Sequence, residues 1–198
     1  MAAIVGVIGL LLRLVAGLVA LIGQGVQAVI ARRERALRKK ERLGLGVEDV
    51  AEQGERVLDA NGVDLDQEPA RDLLAALVFV VVCLGRGWRR FDPVAAGMSD
   101  PDSAAEHALA HDVRVAGEQL NAWLAAVSDE PEPRPTLGIV HHLAAAFARR
   151  VDDAVRAETL LSLDDACLAA GPRTVLQDEM IDLLAETLGV DLVLEGEA

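Results

Sequence analysis

Four histidines, two cysteines and two pairs of adjacent aspartates are the residues of this chain that chemistry would recruit first. His107 and His111 are four apart, the spacing that sets two imidazoles on one helix face for a metal such as zinc. Glu106 stands beside them, but it is better employed as the far end of a capping box, Ser103 to Glu106, with Ser103 as the N-cap. Both histidines fall opposite the Leu109/Val113 stripe and so toward water. His141 and His142 belong to the next helical segment. In a hairpin turning near residue 132, His141 faces residue 123, about 24 Å along the helix from His107. The four imidazoles therefore do not converge, and no metal site is expected.

The other candidates are no better placed. Cys83 and Cys167 lie inside apolar stretches, without metal-ligand spacing or a disulfide framework, and read as buried reduced thiols. The serines lack a nucleophile-elbow context. Asp152-Asp153 and Asp164-Asp165 are neighbours in sequence, so each pair points to two faces of a helix and makes a poor dyad. The glycines at 44 and 46 have no strand before them and no lysine after them, so they do not form a phosphate loop. Asp59, Asn61 and Glu68 approach a calcium-loop pattern, but Gly62 is in the wrong place and no acid closes the twelfth position. The expectation is no catalytic residue, no cofactor and no metal.

The elements that carry these residues divide the chain by charge. Apolar residues make up 52% of the sequence, yet the net charge is -13. Residues 1–43 hold eight basic and two acidic side chains, net +6, and the remaining 155 residues hold 11 basic and 30 acidic, net -19. Such an acidic body is repelled by nucleic acid and by anionic lipid headgroups, whereas the basic segment is attracted to both. No nucleic-acid partner is expected for the acidic part. Trp88 to Phe91 mixes two aromatics with two arginines; amid so much negative charge it reads as a helix end resting its rings on the core.

Residues 2–31 contain no Pro, Asp, Glu or Lys. A helix of that length reaches about 45 Å, against a hydrocarbon core of about 30 Å. Residues 1–31 are therefore read as a transmembrane helix. A cleaved leader, a helix lying in the interface and a buried soluble helix are the competing readings. Arg32, Arg33, Arg35, Arg38, Lys39, Lys40 and Arg42 follow at once as a basic collar. The positive-inside rule then puts the short N-terminus outside and the C-terminal domain in the cytoplasm, a single-pass topology. Arg13 interrupts the apolar run. On a helical wheel, Gly6, Gly9, Gly17, Ala20, Gln24 and Gln27 lie within about 60° of it. Small residues let helices approach closely in lipid, and polar ones hydrogen-bond across the contact. The stripe reads either as a helix-association surface or as one face of a plain anchor whose Arg13 snorkels to the headgroups.

Beyond the collar, residues 32–46 end at a glycine hinge and residues 47–198 read as an acidic helical bundle. Periodicity predicts a helix over 47–60, a loop to Pro69, and a central core helix through the unbroken apolar run from Leu73 to Leu84, with a buried strand as its alternative. Leu109, Val113, Ala116, Leu120, Leu124 and Val127 form one stripe, and Leu137, Val140, Leu143, Phe147, Val151 and Val155 a second; the two helices are expected to pack as an antiparallel hairpin. Ser162 to Asp165 is read as the cap of a short helix ending at Gly171-Pro172. Leu176, Met180, Leu184 and Leu188 mark a last helix stopped by Gly189, with a short C-terminal strand as an option for the tail.

The fold class is thus all-α: a transmembrane helix, then a small acidic bundle. The functional expectation is a membrane-anchored, non-enzymatic structural or assembly component. Its partners are the bilayer and other proteins, a second copy of itself among them. The alternatives are a membrane-active pore former, such as a phage lysis or defence effector, and a virion or envelope structural protein.

Overall fold

The computed structural model describes residues 47–93, 104–127 and 133–190. The apolar segment with its Arg13 stripe, the basic collar, the capping box at Ser103 and the proposed terminal strand lie outside the described residues. Within them all regular structure is helical: α1 (Val47–Ala60), a 3-10 turn (Leu65–Gln67), α2 (Ala70–Val78), α3 (Ala104–Ala125), α4 (Pro133–Ala148), α5 (Asp153–Ala169) and α6 (Val175–Leu188). α2 runs without a break into a π-helical turn (Phe79–Cys83) and a 3-10 turn (Leu84–Arg86). Among these helices none is long and apolar enough to cross a membrane.

α2 is the axis of the bundle. Every residue from Leu73 to Gly85 is buried, as expected for an apolar run too short to span a bilayer. It is a helix rather than a strand. Pro69 opens it at φ −68°, and Gly87 stops it at φ 78°, a left-handed conformation that glycine adopts without steric cost. α3 packs on α2 and its π turn, while α5 and α6 pack on the π turn. Leu109, Val113, Ala116 and Leu120 of α3 are buried where periodicity placed them.

α4 is held differently. It packs against α1, α6 and α2, and most extensively against α1. That contact is a glycine crossing. A Cβ on Gly54 would lie 2.3 Å from the carbonyl carbon of Gly138, and one on Gly138 would lie 2.3 Å from the nitrogen of Gly54. The two backbones touch, so neither site has room for a methyl group.

Three expectations need correction. α3 and α4 do not form an antiparallel hairpin pair; each packs on α2 instead. α4 is buried on nearly all sides, with Pro135 to Val140 enclosed without interruption, and one partner helix cannot cover so wide an apolar surface. Second, the stripe from Leu137 to Val155 is not one helix. α4 ends at Ala148, and Asp152 caps α5 by accepting a hydrogen bond from the Val155 amide at 2.9 Å. Third, Ser162 caps nothing. It lies inside α5, 1% exposed, with no hydrogen-bond partner for its hydroxyl among the described residues.

The glycine crossing gives a direct test. Gly54→Ala and Gly138→Ala each force two backbones apart, and each should cost about 1–3 kcal/mol or more, the range for overpacking a tight interior. Denaturant titration measures it. Wild-type stability in either variant would mean that α1 and α4 do not cross at these residues.

Candidate functional site

Two polar constellations stand out in this apolar bundle. The first is a buried knot where the C-terminal end of α2 meets the N-terminal end of α6. A helix leaves its last carbonyls without intrahelical partners, and a buried end must find others. Cys83 O accepts from the Trp88 amide at 2.9 Å and Leu84 O from the Gly87 amide at 2.9 Å. Gly85 O accepts from the Thr174 hydroxyl at 2.5 Å. Val81 O and Val82 O accept from the Gln177 amide nitrogen at 3.1 and 3.4 Å. Gln177 is 0% exposed, and its nitrogen also lies 3.4 Å from the Cys167 sulfur.

Gln177 and Thr174 do this while capping their own helix. The Gln177 amide donates to Thr174 Oγ1 at 3.1 Å, and Gln177 Oε1 accepts from the Thr174 amide at 3.1 Å, a complete capping box. The donation passes on to a third helix. Arg86, at the end of the α2 run, donates to Cys167 O at 2.8 Å and Gly171 O at 2.7 Å, at the C-terminal end of α5. Its guanidinium lies 5.7 Å from the centre of the Trp88 ring. Gly85 leaves room for this: a Cβ there would sit 2.5 Å from Gln177 Cγ.

Chemically, the knot is closed. Both cysteines border it and both are buried and reduced. Burial pushes the Cys83 thiol up to about 12, far from the thiolate a nucleophile needs. Cys167 makes a long contact to Val81 O at 3.8 Å.

The second constellation is His141 and His142 on α4, with ring centres 5.3 Å apart and edge to face. His141 does not face residue 123, because α4 does not pair with α3. Its Nδ1 lies 3.1 Å from the Thr187 hydroxyl of α6. His142 Nε2 lies 2.8 Å from Ala51 O of α1; a carbonyl only accepts, so this nitrogen carries the proton. Burial, then the neighbouring His142, lower the pKa of His141, and Glu186 opposes them.

The remaining candidates stay apart. His107 and His111 are exposed on α3. Asp152 is the α5 cap, and Asp153 pairs with Arg156 at 3.0 Å. Asp164 pairs with Arg173, while burial raises the pKa of Asp165. Among the described residues no three His, Cys, Asp or Glu converge as metal ligands. Asn61 is a structural donor, to Val57 O at 2.8 Å and to Trp123 O at 3.2 Å. Phe91 is buried and Trp88 half-buried on the core, with Arg89 and Arg90 in solvent. Thr174 and Gln177 went unnoticed in the sequence, although Thr174-Val175-Leu176-Gln177 carries the same capping signature that singled out Ser103 to Glu106.

No family of known proteins matches the chain, and no curated protein or solved structure matches it either.

The knot makes two predictions. Gln177→Leu leaves the Val81 and Val82 carbonyls without its donor and should cost about 1–3 kcal/mol per abandoned group; Gln177→Glu, which sets an acceptor against acceptors, should cost more. Denaturant titration decides, and equal stability of the two variants would contradict this geometry. Separately, Cys83 should resist a maleimide at pH 8 in the native protein and react once denaturant is added. Rapid native labelling of Cys83, read by mass spectrometry, would refute the burial.

Proposed function

We propose that this protein is a membrane-tethered helical interaction module: residues 1–31 anchor it, the basic collar rests on anionic headgroups at the cytoplasmic side, and the bundle recruits or assembles protein partners. The observation that carries this reading is the partition of charge, +6 over residues 1–43 against -19 over the remainder. A basic segment next to an apolar one gains from an anionic surface, at about 1 kcal/mol per cationic residue near the headgroups. The acidic body is repelled by the same surface and stays in the aqueous phase.

The surface of the bundle supports a binding role. Every fully buried polar side chain among the described residues is uncharged: Thr136, Thr159, Ser162 and Gln177. Among the described residues no acid is fully buried. α1, which follows the collar in sequence, exposes Glu48, Asp49, Glu52, Glu55 and Asp59 on its outer side. A basic protein surface is the complementary partner, and its association would weaken with salt. Self-association through Gly6, Gly9, Arg13, Gly17, Ala20, Gln24 and Gln27 would multiply these weak contacts.

Fractionation tests the reading. The full-length protein should sediment with membranes, resist carbonate and need detergent, and a chain starting at residue 44 should remain in the supernatant. Crosslinking in detergent should yield an oligomer that Gly17→Leu dissociates. A full-length protein that is soluble without detergent would refute the anchor, and an unchanged oligomer in Gly17→Leu would refute the stripe. Leakage of dye from liposomes by the full-length protein would favour the pore-forming alternative instead.

A further inference from the structure

We propose that the outer face of α1 is the docking surface for the chain's own basic segment: residues 32–42 fold back at the Gly44/Gly46 hinge and lie antiparallel along that face. α1 turns Val50, Gly54, Val57 and Leu58 into the core. On the opposite side Glu48, Glu52, Glu55 and Asp59 follow at intervals of four, three and four residues, and all are exposed. On a helical wheel these acids share an arc of about 60°. Like charges at such spacing repel one another along a helix. Glu48 gains from the helix N-terminus, but Glu55 and Asp59 stand toward the C-terminal end, where negative charge is unfavourable. Arg56 is the single basic residue of α1, and it pairs with Glu52 at 2.9 Å. Five acids against one arginine leave α1 at -4, so the face calls for cations from outside the helix.

Residues 32–42, which lie outside the described residues, carry seven basic and two acidic side chains, net +5. Leu43 to Gly46 separate them from the start of α1 at Val47, a length that joins two antiparallel helices. Spacing is complementary as well as charge. Arg42, Arg38 and Arg35 recede from the hinge at intervals of four and three residues, just as Glu48, Glu52 and Glu55 advance from it. An antiparallel hairpin therefore sets Arg42 level with Glu48, Arg38 with Glu52 and Arg35 with Glu55, and Arg32 falls one residue from the level of Asp59. On the wheel the three arginines share an arc of about 60° that Lys39 adjoins, whereas Glu34, Lys40 and Glu41 fall outside it. The short tether gives this segment a local concentration that a separate basic partner or a second copy lacks.

The contact has no apolar seam, since Leu37 falls about 140° from Arg42 on the wheel. Exposed ion pairs are individually weak and screened by salt, so the clasp is reversible. Its consequence rests on the membrane reading above. Anionic headgroups compete for the same arginines. Where they win, the clasp opens and the acidic face of α1 becomes available to a basic protein; where they are absent, the chain covers that face itself.

Lys39 and Lys40 are the only lysines of the chain, which makes a zero-length amine-to-carboxylate crosslinker a specific reporter of this segment. In the full-length protein, in uncharged detergent micelles at low salt, Lys39 should crosslink to Glu48, Glu52 or Glu55 within the monomer and Lys40 should not, as read by peptide mass spectrometry. The crosslink should be lost at high salt. It should also be lost in R35Q/R38Q/R42Q, which keeps both lysines and every acid of α1. In vesicles of zwitterionic lipid it should persist, and in vesicles containing anionic lipid it should disappear. No crosslink in the wild type, equal crosslinking from both lysines, or a crosslink that survives salt or the triple substitution overturns the clasp. So does a crosslink confined to dimers, which assigns the face to a second copy. Persistence in anionic vesicles overturns the exchange with headgroups. A full-length protein that is soluble without detergent and still shows the Lys39 crosslink refutes the anchor and supports the clasp. If the triple variant does not fold, the contrast between Lys39 and Lys40 and its loss with salt decide in the wild type.

Discussion

An apolar helix enclosed on every side needs somewhere to place the carbonyls at its end. The α2 run is such a helix: from Leu73 to Gly85 every residue is buried, so water has little access to its last carbonyls. The amide of Gln177 and the hydroxyl of Thr174 supply the missing donors, to Val81, Val82 and Gly85. In turn Arg86 supplies donors to the end of α5 at Cys167 and Gly171. Three helix ends are thus tied in series, α6 supplying donors to α2 and the α2 run supplying them to α5. None can be withdrawn without stranding polar groups in the interior, where each costs a large part of a domain's net stability. The position of α6 is therefore set by hydrogen-bond geometry and not by apolar contact alone. The π-helical turn fits this account, since such turns alter backbone register locally and need tertiary support.

Arginine recurs at these ends. Lysine occurs only at Lys39 and Lys40, so every cationic side chain between residues 47 and 190, histidine aside, is a guanidinium. Besides Arg86, Arg156 donates to Ala148 O at 2.6 Å at the end of α4, and Arg150 donates to Leu65 O at 2.8 Å in the 3-10 turn. A guanidinium presents several donors in a fixed fork and sheds water more readily than an ammonium. It suits carbonyls at helix ends, where two acceptors lie close together. The few basic residues of the acidic body thus do structural work as donors, and its surface keeps its negative balance.

What the sequence disclosed follows from which signals are local. The 47–60 helix, the α2 run and the last helix with its Gly189 stop are legible because each pattern is complete within its own segment. The break between α4 and α5 is not, because Val151 and Val155 continue the apolar period of α4 in phase while Asp152 alone carries the new start. The pairing of helices is illegible for a different reason. Adjacency in sequence argues for a hairpin of α3 and α4, yet the enclosed stretch from Pro135 to Val140 demands neighbours on several sides, and that demand was present in its composition. Gln177 was readable as a helix cap but not as a plug for Val81 and Val82, since that role depends on where α2 ends in space. His141 and His142 show the same limit: their types were visible, whereas the helices they reach, α6 and α1, depend on the packing of α4.

The charge distribution joins these points to the proposed role. A net charge of -19 beyond residue 43 opposes compaction through self-repulsion. The bundle withstands it with a core that encloses no charged side chain among the described residues and with polar groups at its buried helix ends that are neutral or spread as guanidinium. Such an arrangement separates two demands. Folding rests on the apolar interior and the knot around Gln177, neither of which depends on the carboxylates outside. The acids on the outer side of α1 contribute little to that interior, and their exposed pair, Glu52 with Arg56 at 2.9 Å, is of the kind worth less than about 1 kcal/mol. They are consequently free to be selected for what they meet, and under the proposed role their place directly after the basic segment would set them beside an anionic surface that also attracts basic proteins.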